Sequence, residues 1–440
     1  MSEAELLQWL RRVKSELDRD DVRLVFADWL DEQGDRRGEW VRVQCRRSSL
    51  PPDHPDQTAL AAREAELARD PLRGWLEPWL PYFSDRRLFP ASAEAWETEL
   101  YPPLPLDAAW PRGLFHLNCP GSALLRTPLS RLAAGPEFEW VETLCVALAT
   151  DETRAVLRQN GTLARPARLA LSCLAGDFDE ECFAALVGSV PPTNLTCLDF
   201  EQCGLGDEAV AELVGSPVMG SVEVVNLTLC SPGNLTAQAF SNTPQAGRLR
   251  VLLLTGHDMT DVGAAALASA PALARLTYLN LSAMGAGFSA AGARAIAASR
   301  HFAGLTALAL QNNTIGRDGL AALAHSPELR SLSALQVAYN GTGEGTGELL
   351  AASSQPGRWS WLGLSGNGIS DVDVVALARA PLSNLKVLDL SDNEVTDAGA
   401  VALADSPSLS SLIGVNLISN HVGERGRVAL RSRFGDGCRL

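Results

Sequence analysis

From residue 305 onward the apolar positions fall into one recurring phrase, with apolar residues at steps one, four and six and asparagine at step nine. It reads Leu305, Leu308, Leu310, Asn313; Leu332, Leu335, Val337, Asn340; Trp359, Leu362, Leu364, Asn367; Leu385, Leu388, Leu390, Asn393; and Leu412, Val415, Leu417, Asn420. The phrase returns every 26 or 27 residues. The same frame runs back through Leu276, Leu249, Val222, Leu195, Pro166, Val141 and Leu114, giving twelve units at spacings of 25 to 29. In these earlier units step nine is Met284, His257, Cys230, Cys203, Leu174, Ala149 or Ser122.

Alternation of apolar and other residues within each phrase predicts a short strand with its leucines on one face. The remainder of each unit predicts a helix, most clearly in Val395 to Pro407. There Thr396 is placed to cap, Asp397 suits the positive end of the helix dipole, and Ser406 with Pro407 ends the helix. A strand and a helix of this size cannot bury their own leucines, so neighbouring units must stack. Parallel strands stack at about 4.8 Å, whereas helices with side chains need about 10 Å. The expected form is an α/β horseshoe with a concave parallel sheet and convex helices. The asparagines at step nine are expected to bond backbone groups in the turn after each strand.

This phrase, with its helical second half, resembles leucine-rich-repeat proteins, and the unit length with alanine-rich helices is similar to the ribonuclease-inhibitor-like class. The resemblance covers residues 114–440 and implies protein binding without naming a partner.

Residues 1–80 follow a different pattern and predict an all-α domain. Ser2 and Glu5 form a capping-box pattern ahead of Leu6, Leu7, Trp9, Leu10 and Val13. Val22, Val25, Phe26, Trp29 and Leu30 mark one face of a second helix stopped at Gly34. Two more helices are expected over 38–48 and 56–69. The stretch from Leu24 to Gln44, LVFADWLDEQGDRRGEWVRVQ, resembles the bacterial repeat-companion domain. That resemblance implies an architecture and no activity. Residues 81–113, with six prolines among Trp96, Tyr101 and Trp110, read as an extended connector whose aromatics cover the open end of the stack. At the other end, the charged helix from Arg425 to Phe434 should cap the last unit, its four arginines solvated rather than forming an anion site.

Composition narrows the function classes. Net charge is −15, which disfavours nucleic acid and anionic membrane as partners. No apolar run is long enough to span a membrane, and the interrupted N-terminal pattern is unlike a signal peptide, so a cytoplasmic monomer is expected. Nine cysteines, Cys173, Cys197, Cys203 and Cys230 among them, read as reduced core thiols, and no metal-ligand spacing occurs. Gly285 to Ala290 matches a dinucleotide fingerprint but lies in repeat register without the surrounding unit such a fold needs. Gly341 to Gly347 lacks the lysine of a phosphate loop and carries Glu344 where an anion would sit. Acidic residues Asp28, Asp31, Glu32, Asp35 and Glu39, alternating with Arg36, Arg37 and Arg42, read as surface pairing. No nucleophile is linked by spacing to a base, so no enzyme activity and no cofactor are expected.

The residues between the strand leucines should line the concave face. Candidate partner-binding residues are Asp199, Asn226, Asn280, Asp389 and Asn416 at the central step, Glu201 beside them, and the aromatics Tyr278 and Trp361 as exposed anchors. Those two rings occupy the same step three units apart, roughly 14 Å at about 4.8 Å per strand. The function so indicated is a protein-interaction scaffold with an unidentified protein partner. The alternatives are a regulator of a hydrolase such as a GTPase, or a purely structural companion module.

Overall fold

The computed structural model describes residues 3–15, 19–50, 54–69, 115–119, 141–147, 168–172, 180–188, 195–200, 203–256, 258–353 and 356–440. They belong to two compact units, one drawn from Met1–Pro90, Pro105–Gly204 and Ser216–Val222, the other dominated by Leu205–Gly215 and Glu223–Leu440.

The first unit begins with four helices: α1 (Glu3–Ser15), α2 (Asp20–Glu32), α3 (Arg37–Ser49) and α4 (Asp56–Arg69). Val22, Phe26, Ala27 and Leu30 of α2 are buried, and Phe26 stacks with Trp9 and Trp29 at centroid distances of 6.0 and 6.1 Å. Val25, expected on that apolar face, is instead exposed. The chain reverses after α2 at Gly34, whose φ of +72° is a left-handed value that glycine adopts without strain. Pairing of the alternating charges is observed: Arg42 bridges Asp28 at 2.7 Å and Asp31 at 2.5 Å, and Arg63 bridges Glu39 at 2.6 Å. Ser2 and the connector expected over 81–113 lie outside the described residues.

Further along this unit, strands β1 (Phe115–Cys119), β2 (Val141–Ala147), β3 (Arg168–Ser172) and β4 (Cys197–Asp199) are parallel, with helix α5 (Glu180–Val187) between the last two. Their step-four leucines align as Leu117, Leu144, Leu169 and Leu198.

In the second unit the strands are β5 (Val224–Asn226), β6 (Val251–Leu253), β7 (Tyr278–Asn280), β9 (Ala307–Ala309), β11 (Ala334–Gln336), β12 (Trp361–Gly363), β13 (Val387–Asp389), β14 (Gly414–Asn416) and β15 (Cys438–Arg439). They form one parallel array in unshifted register, Val225, Leu252, Leu279, Leu308, Leu335, Leu362, Leu388, Val415 and Cys438 standing side by side. A two-stranded pairing of β8 (Gly285–Ser289) with β10 (Asn313–Thr314) lies apart from this array. The helices are α6 (Gly206–Gly215), α7 (Asn234–Asn242), α8 (Asp261–Ala268), α9 (Ala290–Ala297), α10 (Gly316–Ala324), α11 (Thr346–Ala351), α12 (Asp371–Arg379), α13 (Asp397–Asp405) and α14 (Glu424–Phe434). Leu279, Leu308, Leu335, Leu362 and Leu388 are fully buried, as are Leu267, Ile296, Leu323, Leu350, Leu377 and Leu403 from the helices. Burying each such side chain contributes about 1.5–3 kcal/mol. This is the strand-and-helix solenoid of a leucine-rich repeat, preceded in sequence by an all-helical region.

Two hydrogen-bond ladders join consecutive repeats. The first is the step-nine asparagine. Asn367 donates from Nδ2 to the carbonyls of Val337, Leu364 and Ser365, and its Oδ1 accepts from the N–H groups of Asn340 and Thr342. Asn313, Asn340, Asn393 and Asn420 repeat this role. Cys203 and Cys230, at the same step, are buried and in no disulfide, as is Cys197 in β4; Cys173 lies outside the described residues.

The second ladder extends the reading of Asp397, which does stand in the first turn of its own helix. Thr396 does cap its own helix, accepting from Ala398 N–H at 3.3 Å. Asp397, however, reaches the next repeat and accepts from Gly426 N–H at 2.8 Å. Asp371 does the same for Thr396 and Gly399, Asp261 for Ser289 and Gly292, and Asp207 for Gly233, Leu235 and Thr236. Each carboxylate thus satisfies the orphan N–H groups at the start of the following helix. The glycine two or three residues into that helix follows from the close approach: a Cβ on Gly292 or Gly399 would stand 2.6 Å from the Asp261 or Asp371 oxygen.

The helix expected to cap the last unit, α14, packs on α13, with detail the charge pattern did not convey. Arg433 donates to the carbonyls of Leu403, Ala404, Ser406 and Leu409, so it is committed to the end of α13 rather than solvated. Arg358 serves α10 in the same way through Leu323, Ala324 and Leu329, and burial lowers its pKa to about 10.

Candidate functional site on the inner strand face

One face of each strand is given to leucines of the core, and the opposite face carries steps three, five and seven. In the second unit the step-three row includes Val251, Tyr278, Ala307, Ala334, Trp361, Val387 and Gly414, and the step-five row includes Asn226, Leu253, Asn280, Ala309, Gln336, Gly363, Asp389 and Asn416. Tyr278 and Trp361 sit three strands apart in register, as expected, but neither is an exposed anchor. Tyr278 is 0% exposed and Trp361 7%. The Trp361 ring lies along its own strand above Gly363, where any Cβ would overlap it and the Gln336 amide.

The step-five residues have a structural task that the sequence pattern did not reveal. Asn226 Oδ1 accepts from Thr228 N–H, Asn280 Oδ1 from Ser282, Gln336 Oε1 from Ala338, Asp389 Oδ1 from Ser391 and Asn416 Oδ1 from Ile418, at 2.9–3.2 Å. Each side chain folds back on the backbone two residues on, which explains why short polar residues recur there. Asp199 occupies β4 in the first unit, and Glu201 lies outside the described residues.

Around β11 to β14 these side chains converge. Ser391 Oγ donates to Asp389 Oδ1 at 2.7 Å and bonds Ser365 Oγ at 3.0 Å. Ser365 lies beside the Tyr339 phenol, which donates to Asp392 Oδ2. Burial raises the Asp389 pKa and the Asp392 charge adds to that, against hydrogen bonds from Ser391 and Asn416 that lower it. Asp389 is 3% exposed, and its Oδ2 is buried and accepts no well-aligned hydrogen bond. No ion pair involves Asp389 or Asp392 among the described residues. Of the expected residues, then, Asp389, Asn416 and Trp361 are brought together, whereas Asn226, Asn280 and Tyr278 lie on earlier strands.

Tyr339, Gly366 and Asp392 were missed because they fall at step eight, read only as turn. That step adopts left-handed φ in many units: Leu229, Ala283, Asn312, Tyr339, Gly366, Asp392 and Ser419 range from 53 to 64°. A tyrosine among such residues is the anomaly that would have marked the place.

The other motifs are consumed by the fold. The N-terminus of α9, where a dinucleotide phosphate would sit, already holds the Asp261 carboxylate. In the 341–347 turn Arg317 donates to the Glu344 carbonyl at 2.6 Å and Thr346 to the Gly343 carbonyl at 2.7 Å. A shallow depression of ≈ 310 Å³ on the helix side is lined by Glu348, Asp371, Val372, Val375, Ala376 and Arg379. Among the described residues no helix is long and apolar enough to cross a membrane.

A family model described as Leucine Rich repeat matches residues 192–214, 249–268, 305–324 and 382–404. The chain carries leucine-rich repeats. Among solved structures, this leucine-rich-repeat chain is similar to an internalin (inlF) from Listeria monocytogenes, at 16% identity over 71% of this chain and 93% of that one, with a TM-score of 0.42. It is also similar to a structure of the Rad7 and Elc1 complex in yeast, at 12% identity over 86% of this chain and 96% of that one, with a TM-score of 0.41. No curated protein matches it.

Proposed function

We propose that the chain is a protein-interaction module that engages a protein partner through the inner strand face of its repeats, with the segment from β11 to β14 as the principal contact. The observation that carries this is Asp389: a buried carboxylate, its pKa raised by burial, with one oxygen left without an aligned donor on a face otherwise lined by small and neutral side chains. A buried charge with no counter-charge costs stability, and such costs concentrate where a partner completes the site. Trp361 and Asn416 flank it, and Asn226 and Asn280 extend the face toward earlier strands of the same unit. Of the described arginines, Arg317, Arg358, Arg427 and Arg433 donate to carbonyls of the fold.

A photo-crosslinking amino acid placed at Asn416 in the full chain, in its native host, should capture a discrete protein adduct. The same group at Val372, on the exposed helix side, should not. Equal adducts from both positions, or none from Asn416, would refute the assignment of the inner face.

A further inference from the structure

We propose that the partner presents an arginine side chain to the inner face, its guanidinium stacked on the Tyr339 ring and bonded to Asp392; this rests on the reading that the inner face is the docking surface. Tyr339 is 44% exposed and Asp392 is exposed, whereas the strand residues beside them are buried. The ring is not a loose surface aromatic. It lies across Gly366, where a side chain would collide with it, and its phenol is anchored on Asp392 Oδ2. Its backbone is held too, Tyr339 N–H donating to the Ser365 carbonyl at 2.8 Å and Asp392 N–H to the Ile418 carbonyl at 2.9 Å. Ring and carboxylate are therefore fixed relative to each other before any ligand arrives, which lowers the entropic cost of binding.

The chemistry of this pair selects the ligand. An aromatic face beside a carboxylate attracts a cation, and a planar guanidinium can stack on the ring while donating to the free Asp392 oxygen. An ammonium has no plane to stack and is more strongly hydrated. Asp389 lies three residues from Asp392, bonds Ser391, which bonds Ser365, and its charge acts on the Tyr339 phenol, so a second carboxylate backs the first. Neither carboxylate has an ion-pair partner among the described residues, and the whole chain carries −15, which favours a cationic ligand here.

The test uses the full chain and a fluorescein-labelled Gly-Arg-Gly-Arg-Gly-Arg peptide, read by fluorescence anisotropy at low ionic strength. Saturable binding is expected, weakened at least fivefold by Tyr339→Leu and by Asp392→Asn. Asp318→Asn, a charge-matched change at an exposed position on α10, should alter it less than twofold, and the corresponding lysine peptide should bind more weakly. Circular dichroism and thermal melts confirm that each variant is folded. Absence of saturable binding, equal weakening by Asp318→Asn, unchanged binding by Tyr339→Leu, or equal affinity for the lysine peptide would each overturn the proposal. Failure here combined with a specific crosslink at Asn416 would leave the inner-face reading standing and remove only the arginine.

Discussion

Tyr339 donates its phenolic O–H to Asp392 two repeats further along, and it can do so because the residue between them at the same step is Gly366. The contact spans 53 residues of sequence and ties three consecutive units together at the carboxyl ends of their strands.

Gly366→Ala should break this link. Gly366 has φ of +64°, so alanine there bears about 1–2 kcal/mol of left-handed strain, and its methyl displaces the Tyr339 ring. A urea melt should show that loss or more, together with a changed near-ultraviolet signal. The hydrogen bond to Asp392 raises the Tyr339 pKa, with burial adding to it, so Asp392→Asn should let the phenol titrate at lower pH. Because the folded value lies above the ordinary 10.0, the stabilisation is present below that pH and is lost as pH rises through the folded value. An unshifted absorbance titration in Asp392→Asn would contradict the bond.

The inter-repeat carboxylate ladder makes a prediction with the opposite pH sense. Burial acts to raise the Asp207 pKa, but hydrogen bonds from the Thr236 hydroxyl and the N–H groups of Thr236, Leu235 and Gly233 outweigh it and hold the carboxyl below its ordinary value. Asp207→Ala should cost about 0.5–2 kcal/mol at neutral pH, as loss of a helix cap does. A depressed folded pKa means stabilisation present above the unfolded value of 3.8 and lost as pH falls through the folded one. The wild-type and mutant stabilities should therefore converge in acid, and a gap independent of pH would rule out the cap.

The ladders also show what was legible in the sequence. Strand positions, core leucines and the asparagine step could be read because each follows from a period the chain repeats many times. The second role of Asp397 could not be read, because it depends on Gly426 in the next repeat, and helix-dipole reasoning looks only at its own helix. The buried state of Tyr278 and Trp361 was likewise hidden, since alternation tells which face a side chain leaves from and not how deeply it sits. Step-five residues looked like binding contacts for the same reason: nothing local announces that Asn280 bends back onto Ser282.

Asn393 should matter as much as a core leucine. It donates to the carbonyls of Leu364, Leu390 and Ser391, and accepts from the N–H groups of Asn367 and Ile369. Leu388→Ala, at a fully buried position, should cost about 2–5 kcal/mol. Asn393→Ala strands several buried backbone groups at about 1–3 kcal/mol each, so its denaturation midpoint should fall by a comparable amount. A melt indistinguishable from wild type would show that water replaces the amide at no cost.

Closure of the C-terminal end rests on α14 and β15. Leu412 and Leu417 are buried beneath them, and Leu417 N–H donates to the Arg439 carbonyl at 2.8 Å. Removing residues 421–440 should lower the thermal midpoint by exposing those leucines. Arg433→Ala should reproduce part of the loss, about 1–3 kcal/mol, because four carbonyls lose one shared donor. Unchanged melts for both would show that the array ends without a cap.

Asp389→Asn offers the sharpest separation of stability from function. The same step holds asparagine in Asn226, Asn280 and Asn416, each accepting the N–H two residues on, so an amide at 389 keeps the bond to Ser391 N–H. What it removes is a charge that burial disfavours, since the Asp389 pKa is raised chiefly by desolvation. A raised folded pKa means that the native state favours the protonated acid, so its contribution is present below the unfolded value of 3.8 and is lost as pH rises through the folded one. At neutral pH the wild type therefore carries the cost of that raised pKa and the variant does not. Asp389→Asn should melt at a higher urea concentration than wild type at pH 7, and the two curves should approach each other as pH falls below 4. The same substitution should weaken the arginine peptide, because it discharges the second carboxylate behind Tyr339. A variant that gains stability and loses binding would show that the charge is kept for a partner; one that loses stability at pH 7 would show instead that Asp389 is held by the fold.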